Sequence, residues 1–150
     1  MISIAPYTPV YWEAIQAVHD PARMQELEAA GLEGAFLPLS VAAFREDLFD
    51  YQLYVALYGE QVAGFVAFTP EELAWLYVRP DCQGRGIGRA LASYALAHME
   101  SGQKTVEVLA GNHRARNLYH SLGFTQEELI HGKMPGNETF AVSVWQMTKA

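Results

Sequence analysis

An α/β layered domain built on a mixed sheet is the fold class this sequence predicts, and three stretches predict it. Leu53 to Tyr58 and Val62 to Phe68 are strand-like runs joined by Gly59-Glu-Gln61, a hairpin by length and by its glycine. Leu73 to Val78 is an apolar, β-rich run that ends at Pro80-Asp81, because proline donates no ladder hydrogen bond and restricts the residue before it. Gln83-Gly-Arg-Gly-Ile-Gly88 follows, and then Ile87, Leu91, Tyr94, Ala95 and His98 recur at helical spacing. A strand, a glycine-rich turn and a helix are thus read in succession.

The other elements fall on either side. Ile2 to Ala5 is a short edge strand. Thr8-Pro9 signals a helix start, with Val10, Ala14, Ile15 and Val18 as its apolar face. Asp20-Pro21 repeats the signal for a second helix carrying Met24, Leu27 and Ala30, and Gly31 stops it. Ser40 caps a third, short helix with Val41, Phe44 and Leu48. The apolar connector Gly34 to Leu39 either lines a pocket or packs on the core. After the Gly86–Met99 helix, Thr105 to Ala110 reads as a strand, and Asn112 caps a helix whose inner face is Ala115, Leu118, Tyr119 and Leu122. Gly123 ends it, with Phe124 placed for the apolar contact that follows such a cap. Thr125 to Ile130 and Thr139 to Met147 are the final strands, joined by a loop from Gly132 to Asn137.

With 150 residues, 51% of them hydrophobic and 18% charged, the chain suits a single domain, residues 1–150, with a real core. A net charge of −7 argues against broad nucleic-acid binding, which relies on basic surface to neutralise phosphates. Cys82 is the lone cysteine, so no disulfide framework is expected, and no sequence-adjacent histidine marks it as a nucleophile. His19, His98, His120 and His131 lack ligand-like spacing, so no metal is expected. No basic-then-apolar leader and no membrane-length run is found; a cytoplasmic protein without membrane association is the expectation.

The glycine loop has its own chemistry. Helix-start N–H groups lack intrahelical partners, the helix dipole adds positive character, and glycines allow a close approach, so this stretch suits a diphosphate. Arg85 and Arg89 bring charge and bidentate donors to the same spot. A nucleotide-hydrolase loop needs Lys-Ser/Thr after its last glycine, but Gly88 is followed by Arg89-Ala90. A dinucleotide fingerprint needs a glycine where Arg89 stands. Neither fits.

Gln83-x-x-Gly86-x-Gly88 after an apolar strand, together with Asn112-x-x-Ala115-x-x-x-Tyr119 ending in Gly123-Phe124, resembles the GNAT N-acetyltransferase superfamily. The resemblance implies a central, mixed, mostly antiparallel twisted sheet of about six or seven strands, flanked by about four helices. It implies acetyl-CoA as co-substrate, its diphosphate on Gln83, Gly84, Arg85, Gly86, Ile87, Gly88 and Arg89. The pantetheine arm would pair with the backbone of Leu76, Tyr77 and Val78, which requires the central strand and Thr105–Ala110 to splay apart. Asn112 would contact that arm as well as cap its helix. His113, Arg114 and Arg116 lie near enough to reach phosphates, although solvated side chains are the favoured reading.

Tyr119 matches the family's general acid. Attack by an amine on a thioester expels a thiolate, and a phenol has a proton affinity suited to supplying it. For the base, Glu107 interrupts an apolar strand, and a carboxylate covered on both faces is costly unless paired or working. It stands five residues before Asn112, where the family's ribosomal-protein N-terminal acetylating enzymes carry a glutamate. Glu72, beside the start of the central strand, is the second candidate, acting through water. The reading is transfer of acetyl to a primary amine by direct attack in a ternary complex; the acceptor is left open. Its rivals are a non-catalytic acyl-CoA-binding module and transfer of a longer acyl chain. Strand edges leave room for a homodimer.

Overall fold

The computed structural model describes residues 1–100 and 102–150. Its seven-stranded sheet has the order β1-β2-β3-β4-β5-β7-β6. The strands are β1 (Ile2–Pro6), β2 (Gln52–Tyr58), β3 (Gln61–Phe68), β4 (Glu72–Val78), β5 (Lys104–Leu109), β6 (Gln126–Met134) and β7 (Asn137–Lys149). All neighbours are antiparallel except β4 and β5. The one parallel pair, β4 and β5, is joined through the helix Ile87–His98, as a parallel crossover requires, whereas short turns reverse the chain at β2–β3, β3–β4 and β6–β7. The β2–β3 hairpin stands where expected but is one residue tighter: Gln61 belongs to β3 and pairs with Tyr58, and Gly59 takes φ 64°.

Helices cover both faces. On one side α1 (Trp12–Ala29) and α2 (Leu39–Arg45) bury Ile15, Val18 and Leu39 against Val55, Phe65 and Trp75, joined by Leu48, which lies not on α2 as expected but in the 3-10 turn Leu48–Asp50 that follows it. On the other, α3 (Ile87–His98) and α4 (His113–Ser121) build a core of Val66, Phe68, Leu73, Leu91, Phe124 and Met147. Apolar residues on both faces of β3 explain why all of Val62 to Phe68 is buried.

Four further sequence expectations are corrected. The helices expected to start at Thr8-Pro9 and at Asp20-Pro21 are one: α1 runs through Pro21, and Pro9–Tyr11 is a single 3-10 turn. Its apolar face packs along β3 and β4, which offsets the one backbone bond that proline removes. Asp20 is therefore no cap of its own helix. Its Oδ1 instead accepts the Leu39 N–H at 2.9 Å, at the start of α2, which leaves Ser40 inside that helix. Val10, expected on an apolar face, is exposed. The loop expected from Gly132 to Asn137 narrows to Pro135-Gly136, because β6 continues to Met134 and β7 begins at Asn137.

Asn112 caps α4 as expected, its Oδ1 accepting the Ala115 N–H at 3.2 Å. Gly123 takes φ 101°, and the Phe124 N–H donates to the Tyr119 carbonyl at 3.0 Å, which seats Phe124 in the core. The apolar connector does both jobs weighed for it: Leu39 is core, whereas Leu37 borders a cleft.

Candidate active site

The site begins with an irregularity in β4. Ala67 of β3 faces Trp75, but the next residue, Phe68, faces Leu73, so Ala74 has no partner. Such a bulge bends its strand and increases the local twist. Beyond it, β4 leaves β5. Their parallel pairing is confined to Glu72 with Thr105 and Leu73 with Val106, while β5 keeps its register with β7 as far as Leu109. The splay required by the sequence reading is present, and among the described residues no strand pairs with the β5-facing edge of Leu76, Tyr77 and Val78.

Two clefts meet in this wedge. The first lies between β4, β5 and α4, bordered by Leu76, Tyr77, Val108, Asn112, Ala115 and Tyr119. The second, about 170 Å³, opens on the α1 side, with Arg23, Glu46 and Trp75 in its walls and the β6–β7 turn at its rim. Glu26, Ala74, Tyr77 and Glu107 border both.

The glycine loop follows the end of β4, beyond Leu76 and Tyr77 in the wall of the first cleft. Gly84 and Gly86 take φ 80° and 83°, and a Cβ at either would meet nothing within 4 Å. Backbone conformation therefore demands glycine there, and the outer face of the loop is open. Gly86 is the N-cap of α3, and among the described residues the N–H groups of Gly84, Arg85 and Gly86 take no backbone partner. Gln83 is fixed by donating to Gln25 at 3.0 Å and to the Val78 carbonyl at 3.3 Å, and by accepting from Arg114. The two loop arginines do not converge as expected. Arg85 lies 5.0 Å over the Tyr58 ring, and Arg89 donates to Ser121 at 2.7 Å, because each finds a partner on a different element. Arg116 belongs to the fold: it pairs with Glu127 and lies 3.9 Å over the Trp145 ring. Cys82 is buried, and burial pushes its thiol up, so it is no activated nucleophile.

Tyr119 packs edge-on against Phe124, ring centroids 5.7 Å apart. Burial, reinforced by the charge of Glu26, raises its phenol well above the ordinary value, so it holds its proton throughout the neutral range. Glu107 is exposed toward the wedge instead of covered on both faces, because the splay removes its cover. The premise that its burial marks it is thus wrong, although its place at the junction of the clefts stands. Glu72 borders neither cleft. It sits at the closed end of the wedge, its carboxyl raised by burial and then by Glu107.

Three residues escaped the sequence reading. Arg23 and Glu26 of α1 form an ion pair, and Glu26 also accepts from Tyr77 and Asn112. Glu46 stands in the second cleft with its carboxyl pushed up to about 7, chiefly by burial. One signal was present: Ile15, His19, Ala22 and Glu26 fall on one helical stripe, which points polar side chains inward. His19 is indeed buried, its Nδ1 2.9 Å from Asp20 Oδ1, and burial holds its pKa down.

Residues 49–126 match the sequence family described as the acetyltransferase (GNAT) domain, more than half of the chain. The chain belongs to that family. An uncharacterized N-acetyltransferase of Methanocaldococcus jannaschii is 38% identical over 64 residues, 41% of this chain and 28% of that protein. The chain spans only about a quarter to a third of the curated relatives it matches. Among solved structures, a GCN5-related N-acetyltransferase from Rhodopseudomonas palustris superposes with a TM-score of 0.78 at 21% identity, covering 99% of this chain and 94% of that one. The PaiA N-acetyltransferase from Thermoplasma acidophilum, solved in complex with coenzyme A, gives 0.68 at 16% identity, covering 99% and 98%. These two establish the shared fold.

Proposed function

We propose that residues 1–150 form one N-acetyltransferase unit that transfers acetyl from acetyl-CoA to a primary amine by direct attack in a ternary complex. The observation that carries the reading is the wedge: an unpaired β4 edge leads from an open glycine loop to a junction of two clefts beside Tyr119. One end suits a diphosphate, the edge suits an extended amide-bearing arm, and the second cleft suits an acceptor. The coenzyme A complex of the Thermoplasma protein supports the same cofactor for this fold.

Gln83 to Arg89 would hold the diphosphate through backbone N–H groups, and Leu76, Tyr77 and Val78 would pair with the pantetheine amides. Acetyl-CoA supplies an acyl group activated as a thioester. Glu107, directly or through water, takes a proton from the ammonium acceptor, whose pKa is about 10, so that a neutral amine is available. As the C–N bond forms and the C–S bond breaks, Tyr119 gives its proton to the leaving thiolate, and the proton that the acylated nitrogen sheds restores the phenol through water. Burial raises the phenol, and burial beside it disfavours a thiolate as well, so the two proton affinities move in the same direction. Glu72, at the closed end of the wedge, is the second candidate base. Carboxylates at Glu26, Glu46 and Glu107 outnumber Arg23 in the cleft walls, which favours a cationic acceptor.

Thermal unfolding with and without acetyl-CoA tests the cofactor, and thiol release across a panel of amines tests turnover. A ligand at a hundred times its dissociation constant adds ~2.7 kcal/mol, a rise of roughly 5–10 °C. No rise at millimolar acetyl-CoA sinks the assignment. A rise without thiol release from any amine returns the non-catalytic module.

A further inference from the structure

β4 and β5 share no backbone pairing past Leu73 and Val106, yet their open ends are tied together. The tie comes from α1. Glu26 Oε1 accepts from the Tyr77 hydroxyl at 3.1 Å, on the β4 side. Glu26 Oε2 accepts from Asn112 Nδ2 at 3.0 Å, just past the end of β5. The other end of the Asn112 amide caps α4 through the Ala115 N–H. One carboxylate thus spans the mouth of the wedge, and a single amide carries its hold into the helix that bears Tyr119.

We propose that Glu26 is the positioning residue of this site: it staples Tyr77 to Asn112, sets the width of the wedge, and so places Tyr119 relative to the β4 edge. The choice of a glutamate follows from its partners. Tyr77, Asn112 and Arg23 all donate, and a carboxylate accepts on both oxygens. Glutamine has the same shape, but its NH2 group faces a donor whichever way it is turned, so one side of the staple must open. Arg23, donating to Oε1, sets an opposite charge beside the mostly covered carboxylate. In the absence of sheet hydrogen bonds this side-chain linkage does what a ladder does elsewhere: it fixes the distance between two strands.

The catalytic half of this inference rests on the acetyltransferase reading; the mechanical half does not. Amide hydrogen exchange on the full chain reads the mechanical half without turnover. Glu26→Gln should speed exchange at the first turn of α4, Ala115 above all, roughly tenfold or more, while β2 and β3 keep their protection. Unchanged exchange at α4, or an equal rise across the whole sheet, overturns the staple. If Glu26→Gln does not fold, Tyr77→Phe removes one hydroxyl and should loosen the same turn to a smaller degree; no local change there also overturns it.

The catalytic half is read by coupling. Glu26→Gln should lower kcat at least about tenfold at saturating substrates, with the acceptor KM little changed, as expected for a small misplacement of the acid. The double variant Glu26→Gln with Asn112→Ala should be no slower than the worse single variant, since both break one linkage. Multiplied effects would mean that the residues act separately, and the inference would fail. A wild-type chain that acetylates no amine would remove the acetyltransferase reading while leaving the exchange experiment to decide the staple.

Discussion

Leu73 and Val106 are the last residues at which β4 and β5 pair, and the wedge beyond them shapes the whole site. A parallel pair that continued would hide Glu107 and satisfy the β4 edge. The unpartnered Ala74, one residue after Leu73, turns β4 away instead, and the chain gains a slot through its own sheet.

Tyr119→Phe keeps the ring against Phe124 and removes only the hydroxyl. Acetyl-CoA should raise the melting temperature of this variant as it does the parent, while kcat falls roughly a hundredfold. Steady-state thiol release with a matched thermal shift checks this. An unchanged kcat would remove Tyr119 from the chemistry.

Glu107→Gln should lower kcat/KM at neutral pH by roughly tenfold or more and flatten the acidic limb of the pH–rate profile. Glu72→Gln should leave that limb in place, because Glu72 borders neither cleft. The opposite pattern would assign the base to Glu72.

Glu46 gives a dependence of stability on pH. Its carboxyl lies at about 7 in the folded chain, raised by burial, partly offset by Arg23 and reinforced by Glu138, against an ordinary 4.5. The neutral form is the one the fold favours, so its contribution is complete below 4.5 and is lost as pH rises through about 7. Discounted for partial exposure, the loss is on the order of 1–2 kcal/mol. Urea unfolding at pH 4.5 and 7.5 should show Glu46→Gln gaining on the parent at the higher pH. An identical pH slope in both would show that Glu46 is not so perturbed.

Gly64 tests the packing behind the wedge. A Cβ there would stand 2.8 Å from the Tyr77 carbonyl and 2.9 Å from Leu91, where α3 presses on β3 and β4. Gly64→Ala should cost roughly 1–3 kcal/mol. Gly132→Ala, in open space on β6, should change little. Comparable melting temperatures for both variants would contradict this close approach.

The order of strands and helices from Leu53 to Phe124 was legible because each rule involved is local. Alternation and apolar runs mark strands, a short glycine-containing connection marks the hairpin, and Asn112 and Gly123 mark the ends of one helix. Locality also explains the errors. Asp20-Pro21 carries the signature of a helix start, yet Asp20 hydrogen-bonds a residue nineteen positions away, at Leu39, and packing on the sheet carries the helix through the proline.

By itself the sequence determined the strand–glycine loop–helix unit, the cap and the tyrosine, since spacing along the chain places these within one or two turns of one another. Only the tertiary structure decided the splay after Leu73, the exposure of Glu107, the separate partners of Arg85 and Arg89, and the meeting of Glu26 with Tyr77 and Asn112. Each of these depends on which strand stands beside which and where pairing stops. That is a property of the closed sheet, to which segments far apart in sequence contribute hydrogen bonds that no local pattern encodes.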